Sequence, residues 1–332
     1  MTKITLQDLE DTKERIFFIV GTSRSGSTLL QSMLSSHREM IIPTETHYFH
    51  GKKVVDERFK KATDEELFCR KLIDFWYTGK TRINDLGLNK EEILLHADHL
   101  NLWSPIDLYL LHLTIYRKQR NKEILGEKTP LHILHIDEIL ETFPNTKIIS
   151  LFRDPRAAAN SEIKAYFGSP SVIVTTDRWK RYVEVHFEML DKLSADQYMM
   201  LQYKDLISSP EERLREISTF LELDYQPAMM EYYKREEKGF AQGESEWKKE
   251  TLKPLQEGKN KEWRHSLTDW QVALVEKYAG EYLSRMGYKP AAKKLSFVKK
   301  VFYTIIDGGR SYWSTFTNSR DEGYNKTINI KF

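Results

Sequence analysis

Residues Phe17–Leu34 read FFIVGTSRSGSTLLQSML, and this stretch decides the fold. Four apolar residues, Phe17, Phe18, Ile19 and Val20, run into a loop from Gly21 to Thr28. Leu29, Leu30, Met33 and Leu34 then recur at helical spacing. Buried strand, tight glycine loop and helix follow one another in that order. Such a loop turns backbone N–H groups, reinforced by the positive end of the helix, toward a bound phosphate. The alternative, an incidental glycine loop between a strand and a helix, leaves the agreement of all three elements unexplained.

The loop resembles the Walker A pattern GxxxxGK[ST] except at one place. Ser27 stands between Gly26 and Thr28, where the lysine that reaches the β- and γ-phosphates of a triphosphate would be. A cation sits earlier, at Arg24. That suits a nucleotide with one bridging 5′-phosphate and a transferable group just beyond it. Thr22, Ser23, Arg24, Ser25, Gly26, Ser27 and Thr28 are the expected phosphate ligands. A P-loop kinase of a small metabolite is the rival enzyme, and Ser27 argues against it. A non-catalytic nucleotide-binding protein is the other alternative.

Outward from the loop, Met40–Ile42 is a short apolar run stopped by Pro43, a second strand. Residues 63–78, 90–100 and 105–119 have helical periodicity and suggest a helical insertion (about 52–122) covering one side of the site. Thr129–Phe143 suggests a helix with Pro130 in its first turn. Lys147–Phe152 is a strong buried strand leading through Arg153-Asp154-Pro155 into a helix from Arg156 to Phe167. Tyr198–Gln202 is another strand; helices from Ser209 to Leu223 and from Thr268 to Met286 follow. Uniformly apolar strands alternating with helices predict an α/β fold, a P-loop-type parallel sheet flanked by helices. Ligands on such sheets bind at the carboxyl ends of strands. Arg24, Glu45, Arg153 and Tyr203 all follow proposed strands.

The 332 residues suffice for one large α/β domain or two small ones. With 40% hydrophobic and 30% charged residues, the composition is that of a globular rather than a disordered chain. No apolar run approaches the roughly 18 residues that span a bilayer. The opening MTKITLQDLEDTKER is polar and lacks the apolar segment of a signal peptide. Cys69, the single cysteine, suits a reducing compartment, so a cytoplasmic location is expected. Net charge is +2, but Lys289–Phe332 holds nine Lys/Arg against three Asp/Glu, which leaves the first 288 residues at −4. A general nucleic-acid binder would not look like this.

Four segments together resemble the sulfotransferase family, whose members move a sulfuryl group from 3′-phosphoadenosine-5′-phosphosulfate (PAPS) to an acceptor. They are the loop Gly21–Leu30, the segment IISLFRDPRAAANS (148–161), Gly126-Glu-Lys-Thr-Pro130, and Tyr203-Lys-Asp-Leu206 with the downstream Lys253-Pro254 and Trp263-Arg264. The likeness covers roughly residues 16–288 and leans toward the carbohydrate and tyrosylprotein branches. It implies that Arg153 and Ser161 grip the 3′-phosphate of PAPS and of its product, adenosine 3′,5′-bisphosphate (PAP), with Tyr203 close by. In the tyrosylprotein branch a lysine directly precedes the tryptophan. Here Glu262 stands in that place, so Lys261 or Arg264 would take over.

The chemistry requires in-line attack by a hydroxyl on sulfur, with charge growing on the bridging oxygen. Arg24 and Lys128 are the cations available to meet it. No His/Cys cluster has metal-ligand spacing, so no metal is expected. The acceptor hydroxyl needs a general base; Glu45, just beyond the second strand, is the expected one, with His47 as its competitor. The acceptor itself stays open among glycan, lipid, sterol and small-metabolite hydroxyls. Trp76, Tyr77, Trp103, Tyr109 and Tyr116 suit either stacking on a ring or helix packing. The chain divides into a domain at 1–290 and a basic extension at 291–332. Residues 291–306 of the extension form an amphipathic stretch, suited to an anionic membrane surface, to packing on the domain or to a second subunit.

Overall fold

Strands β1 (Phe17–Gly21), β2 (Met40–Ile41), β3 (Ile124–Lys128), β4 (Lys147–Phe152) and β5 (Tyr198–Gln202) of the computed structural model form one parallel sheet. Their order is β2-β3-β1-β4-β5. The structure describes residues 2–52, 64–78, 81–165, 168–235, 239–240, 249–255, 259–293 and 295–317. The expected helix start at residue 63, the helix end at Phe167 and the extension beyond residue 317 lie outside them.

Alternation along β1 explains why both faces are covered. Phe18 and Val20 enter a core shared with Ile41, Leu125, Ile148 and Phe152. Phe17 and Ile19 enter the other, with Leu29, Leu30, Met33 and Leu34 of the helix Ser27–Leu34. Successive side chains of a strand point to opposite faces, so a strand buried on both must be apolar throughout. The chain crosses from one side of β1 to the other between β3 and β4, and the carboxyl ends of these three strands therefore surround one crevice.

β3 is the strand that periodicity does not reveal. Its sequence, ILGEK, has a central glycine and two charges, yet all five residues are buried. Gly126 is needed for space, since a Cβ there would lie 2.4 Å from the Phe17 ring. The insertion helices form as predicted, at Glu65–Thr78, Lys90–Leu100 and Pro105–Gln119. Asn89 and Ser104 cap the last two through their side chains. Trp76, Tyr109 and Tyr116 are built into the larger core, and Tyr77 and Trp103 pack against it. These aromatics hold helices together.

Several helices differ from expectation. The Thr129–Phe143 helix is instead a 3-10 segment, Pro130–His135, followed by an α-helix, Ile136–Thr142. Gly280, at φ 59° and ψ −141°, divides the expected Thr268–Met286 helix into Asp269–Ala279 and Glu281–Arg285. Two α-helices of ten residues or more among the described residues are additional to those expected. Leu6–Arg15 opens on a capping box between Thr5 and Asp8. Val172–Lys192 buries Trp179, Tyr182 and Val183.

Candidate active site

The loop after β1 is shaped by its own backbone and small side chains. Thr22 N donates to Leu151 O at 3.2 Å, tying the loop to β4. Ser25 Oγ donates back to Thr22 O at 2.5 Å. Gly26 caps the helix Ser27–Leu34 at φ 92°, a region that side chains avoid. A Cβ there would also meet the Tyr203 ring at 2.4 Å. Thr22 Oγ1 is buried with no hydrogen-bond partner among the described residues. A buried hydroxyl on a phosphate-type loop is in place to donate to a bound oxygen anion. Arg24 takes a left-handed backbone, φ 62°, at the crest of the loop. Strain of this kind in a non-glycine residue clusters where ligands are held.

Arg153, beyond β4, and Ser161, on the helix Pro155–Ile163, meet the loop at Arg24. Arg24 Nε donates to Ser161 Oγ at 3.0 Å, and Arg153 Nη1 donates to Arg24 O at 3.2 Å. The Arg153 guanidinium lies over the Tyr203 ring, 4.5 Å from its centre. The neighbouring Asp154 pairs with Arg156, which also reaches Glu276. The charge of Asp154 also favours the Arg153 cation. Burial lowers the pKa of Arg153 and Arg24 pushes it the same way, while Tyr203 opposes. Two guanidiniums gathered with a serine hydroxyl make a place that an anion would stabilise.

The late segment also arrives here. Asn260 Oδ1 accepts from Arg153 Nε at 3.3 Å, a contact that the sequence reading missed. Lys261 and Arg264 are exposed, with Arg264 over the Trp263 ring. Trp263 itself is buried and stacks under Arg156.

A second cluster forms at the ends of β2 and β3. Lys128 is fully buried and stands opposite Ile19 of β1, two residues before the phosphate loop begins. Its Nζ donates to Glu45 Oε1 at 2.5 Å. Glu45 Oε2 lies 3.2 Å from His47 Nε2, so the two candidate bases touch each other. Glu45 keeps 17% of its side chain exposed, enough to face an entering substrate. His47 has a left-handed backbone, φ 53°.

Beneath these residues lies Glu127, whose role sequence reasoning did not find. It is fully buried, and its carboxylate accepts from Thr46 Oγ1 at 2.8 Å and from Thr129 Oγ1 at 2.7 Å. His132 Nδ1 sits 3.0 Å from the other oxygen. Thr46 gives its one proton to Glu127, so the Tyr109 hydroxyl, 3.2 Å away, must donate to Thr46. Burial alone would raise the pKa of Glu127. The His132 charge and three hydrogen bonds outweigh it and hold the pKa below the usual carboxylate value. Two adjacent rungs result: Glu45 meets Lys128, and Thr46 meets Glu127. The signal was there in principle, because consecutive charges on one strand point to opposite faces.

Among the described residues no group of three or more His, Cys, Asp or Glu side chains is placed to hold a metal ion. No helix among them is long and apolar enough to cross a membrane.

The family model described as "Sulfotransferase family" matches residues 17–227. A protein-tyrosine sulfotransferase of Drosophila melanogaster is 26% identical over 222 residues, which are 65% of this chain and 40% of that protein. Protein-tyrosine sulfotransferase A of Caenorhabditis elegans is 22% identical over 311 residues, 90% of this chain and 74% of that protein. The chain thus spans less than half the length of the first of these relatives. Among solved structures, the sulfotransferase domain from the curacin biosynthetic pathway aligns with a TM-score of 0.59 at 17% identity, covering 83% of this chain and 98% of that one. The sulfotransferase domain of the Synechococcus PCC 7002 olefin synthase aligns at 0.55 and 21% identity, covering 81% and 96%. These two likenesses show a shared fold.

Proposed function

Since the chain belongs to the sulfotransferase family, we propose that it is an O-sulfotransferase that uses PAPS as donor and releases PAP. The convergence of Arg153, Ser161 and Arg24 supports this most directly, because it offers a 3′-phosphate what a simple P-loop nucleotidase has no need of. The loop Thr22–Thr28 takes the 5′-phosphosulfate on backbone amides and hydroxyls. Tyr203 carries Arg153 on its face, Lys261 shares the 3-10 turn Lys259–Lys261 with Asn260, and Arg264 follows on the helix Trp263–Ser266.

In the transfer, an acceptor oxygen attacks sulfur as the bond from sulfur to the bridging phosphate oxygen breaks. The acceptor proton passes to the Glu45 carboxylate, and PAP leaves with the electron pair of the broken bond. Lys128 and Arg24 counter the charge growing on the bridging oxygen. His47 orients Glu45 from the other side. The tyrosylprotein relatives make a phenolic hydroxyl on a polypeptide the first acceptor to try, ahead of glycan, lipid, sterol and small-metabolite hydroxyls. We further propose a cytoplasmic location, which the single cysteine suits.

Calorimetric titration with PAP, set against ADP and magnesium–ATP, tests the donor. PAP should bind at micromolar concentration or tighter. Arg153→Ala should weaken it by roughly 10- to 100-fold, the value of a charge-assisted hydrogen-bond pair. Tighter binding of magnesium–ATP would overturn the reading in favour of a kinase. Transfer of labelled sulfate from PAPS to tyrosyl peptides then tests the acceptor.

A further inference from the structure

The helix Phe297–Thr317 is pinned to the domain on one side and bare on the other. Asp307 is buried, and its carboxylate accepts from Ser171 Oγ at 2.5 Å, Ile173 N at 2.9 Å and Val172 N at 3.2 Å. It thereby caps the start of the helix Val172–Lys192. Tyr303 stacks on Trp270 with ring centres 5.0 Å apart and planes 9° from parallel. Away from these contacts, Phe297, Val298, Val301, Phe302 and Ile305 are 80%, 75%, 45%, 57% and 69% exposed. Their spacing places all five on one stripe. Large apolar side chains aligned on a rigidly docked helix mark a contact surface rather than scattered surface residues.

Charge indicates what the surface meets. Lys289, Lys293, Lys294, Lys299, Lys300 and Arg310 are the basic residues of the stretch 289–317, and its one acid, Asp307, is turned inward. The first 288 residues carry −4, so the positive charge belongs to this stretch and not to the protein as a whole. A second copy is a poor occupant, because packing the stripe on itself would gather like-charged lysines. An apolar stripe with lysines beside it in the sequence suits anionic lipid, where apolar side chains enter the headgroup–acyl boundary and ammonium groups meet phosphates.

We propose that the C-terminal helix seats this protein on an anionic membrane surface through Phe297, Val298, Val301, Phe302 and Ile305, with the adjoining lysines on lipid phosphates. The proposal does not rest on the catalytic reading. Its test is cosedimentation of the full chain with vesicles of phosphatidylcholine, alone or mixed with phosphatidylglycerol, at low and high salt. The protein should pellet with the mixed vesicles at low salt and stay in solution with phosphatidylcholine alone. Phe302→Ser with Ile305→Ser should weaken this binding roughly tenfold or more. Lys299→Glu with Lys300→Glu should abolish its dependence on the anionic lipid. Both double variants should keep the circular dichroism spectrum and melting temperature of the wild-type chain, which shows that they fold. Failure of the wild-type chain to pellet with mixed vesicles overturns the proposal. So does a concentration-dependent dimer, seen by sedimentation velocity, that the apolar variant dissolves, for then a second copy covers the stripe.

Discussion

The phosphate loop and the Glu45–Lys128 cluster stand at the carboxyl ends of the same sheet and are built in opposite ways. The loop is eight consecutive residues, Gly21–Thr28, whose fitness for an anion lies in backbone direction, small side chains and the helix behind it. The cluster is assembled from Glu45 and Thr46 after β2, Glu127 and Lys128 on β3, Thr129 and His132 beyond it, and Tyr109 of an insertion helix. Its working parts are buried side-chain charges, which stay in place only when partners from distant segments satisfy them. The shape of the loop is thus a local property of this chain, whereas the Glu45–Lys128 cluster exists only in the tertiary structure.

If that contrast holds, damage to the cluster should strike turnover and damage to the loop should strike affinity. The largest effect is expected for Glu45→Gln, which keeps the shape but removes the proposed proton acceptor. Turnover should fall by roughly 10²- to 10⁴-fold, with the PAP dissociation constant unmoved. A variant that turned over normally would move the base to His47 or elsewhere. Next is Glu127→Gln, which touches no reactant and acts through Thr46 and Thr129. Turnover should drop about 10- to 100-fold, with PAP affinity unchanged and partial recovery in Glu127→Asp. Parallel losses of turnover, affinity and melting temperature would instead make Glu127 a mere packing element.

The loop side is probed by Gly26→Ala. The added methyl must displace the Tyr203 ring on which Arg153 rests. PAP binding should weaken by about tenfold, and turnover at saturating donor should change less. The smallest effect tests the frame common to both regions. Burial pushes His112 and His186 down to about 4 from 6.5. Between those values the unfolded chain binds the more protons, so stability is complete above pH 6.5 and is lost as pH falls toward 4. Glu127, with its pKa held low, adds to the loss at the acid end. Melting temperature should decline by a few degrees across this window, and a flat profile would contradict the burial of these histidines.

The difference between the two regions also sets what could be read beforehand. Loop, β1, β4, β5 and the insertion helices are legible because strand and helix periodicities depend on near neighbours. β3 was not, since burying Glu127 and Lys128 makes sense only once Thr46, Thr129, His132 and Glu45 surround them. The helix Val172–Lys192 is additional to the expected elements although its apolar face is periodic. Nothing near Asn260 in the sequence points to Arg153, which it meets only in the fold.

By itself, the sequence determined a parallel α/β sheet with an anion loop after β1, because backbone preference and apolar spacing act over a few residues. It also singled out Arg24, Glu45, Lys128, Arg153 and Ser161 as the residues to watch. Only the tertiary structure decided how these residues are partnered. It joined Arg24 to Ser161 and Arg153, seated Glu45 between Lys128 and His47, and turned one face of the C-terminal helix inward and the other out. Hydrogen bonds and ion pairs act over about 3 Å, and segments a hundred residues apart come that close only when the chain folds.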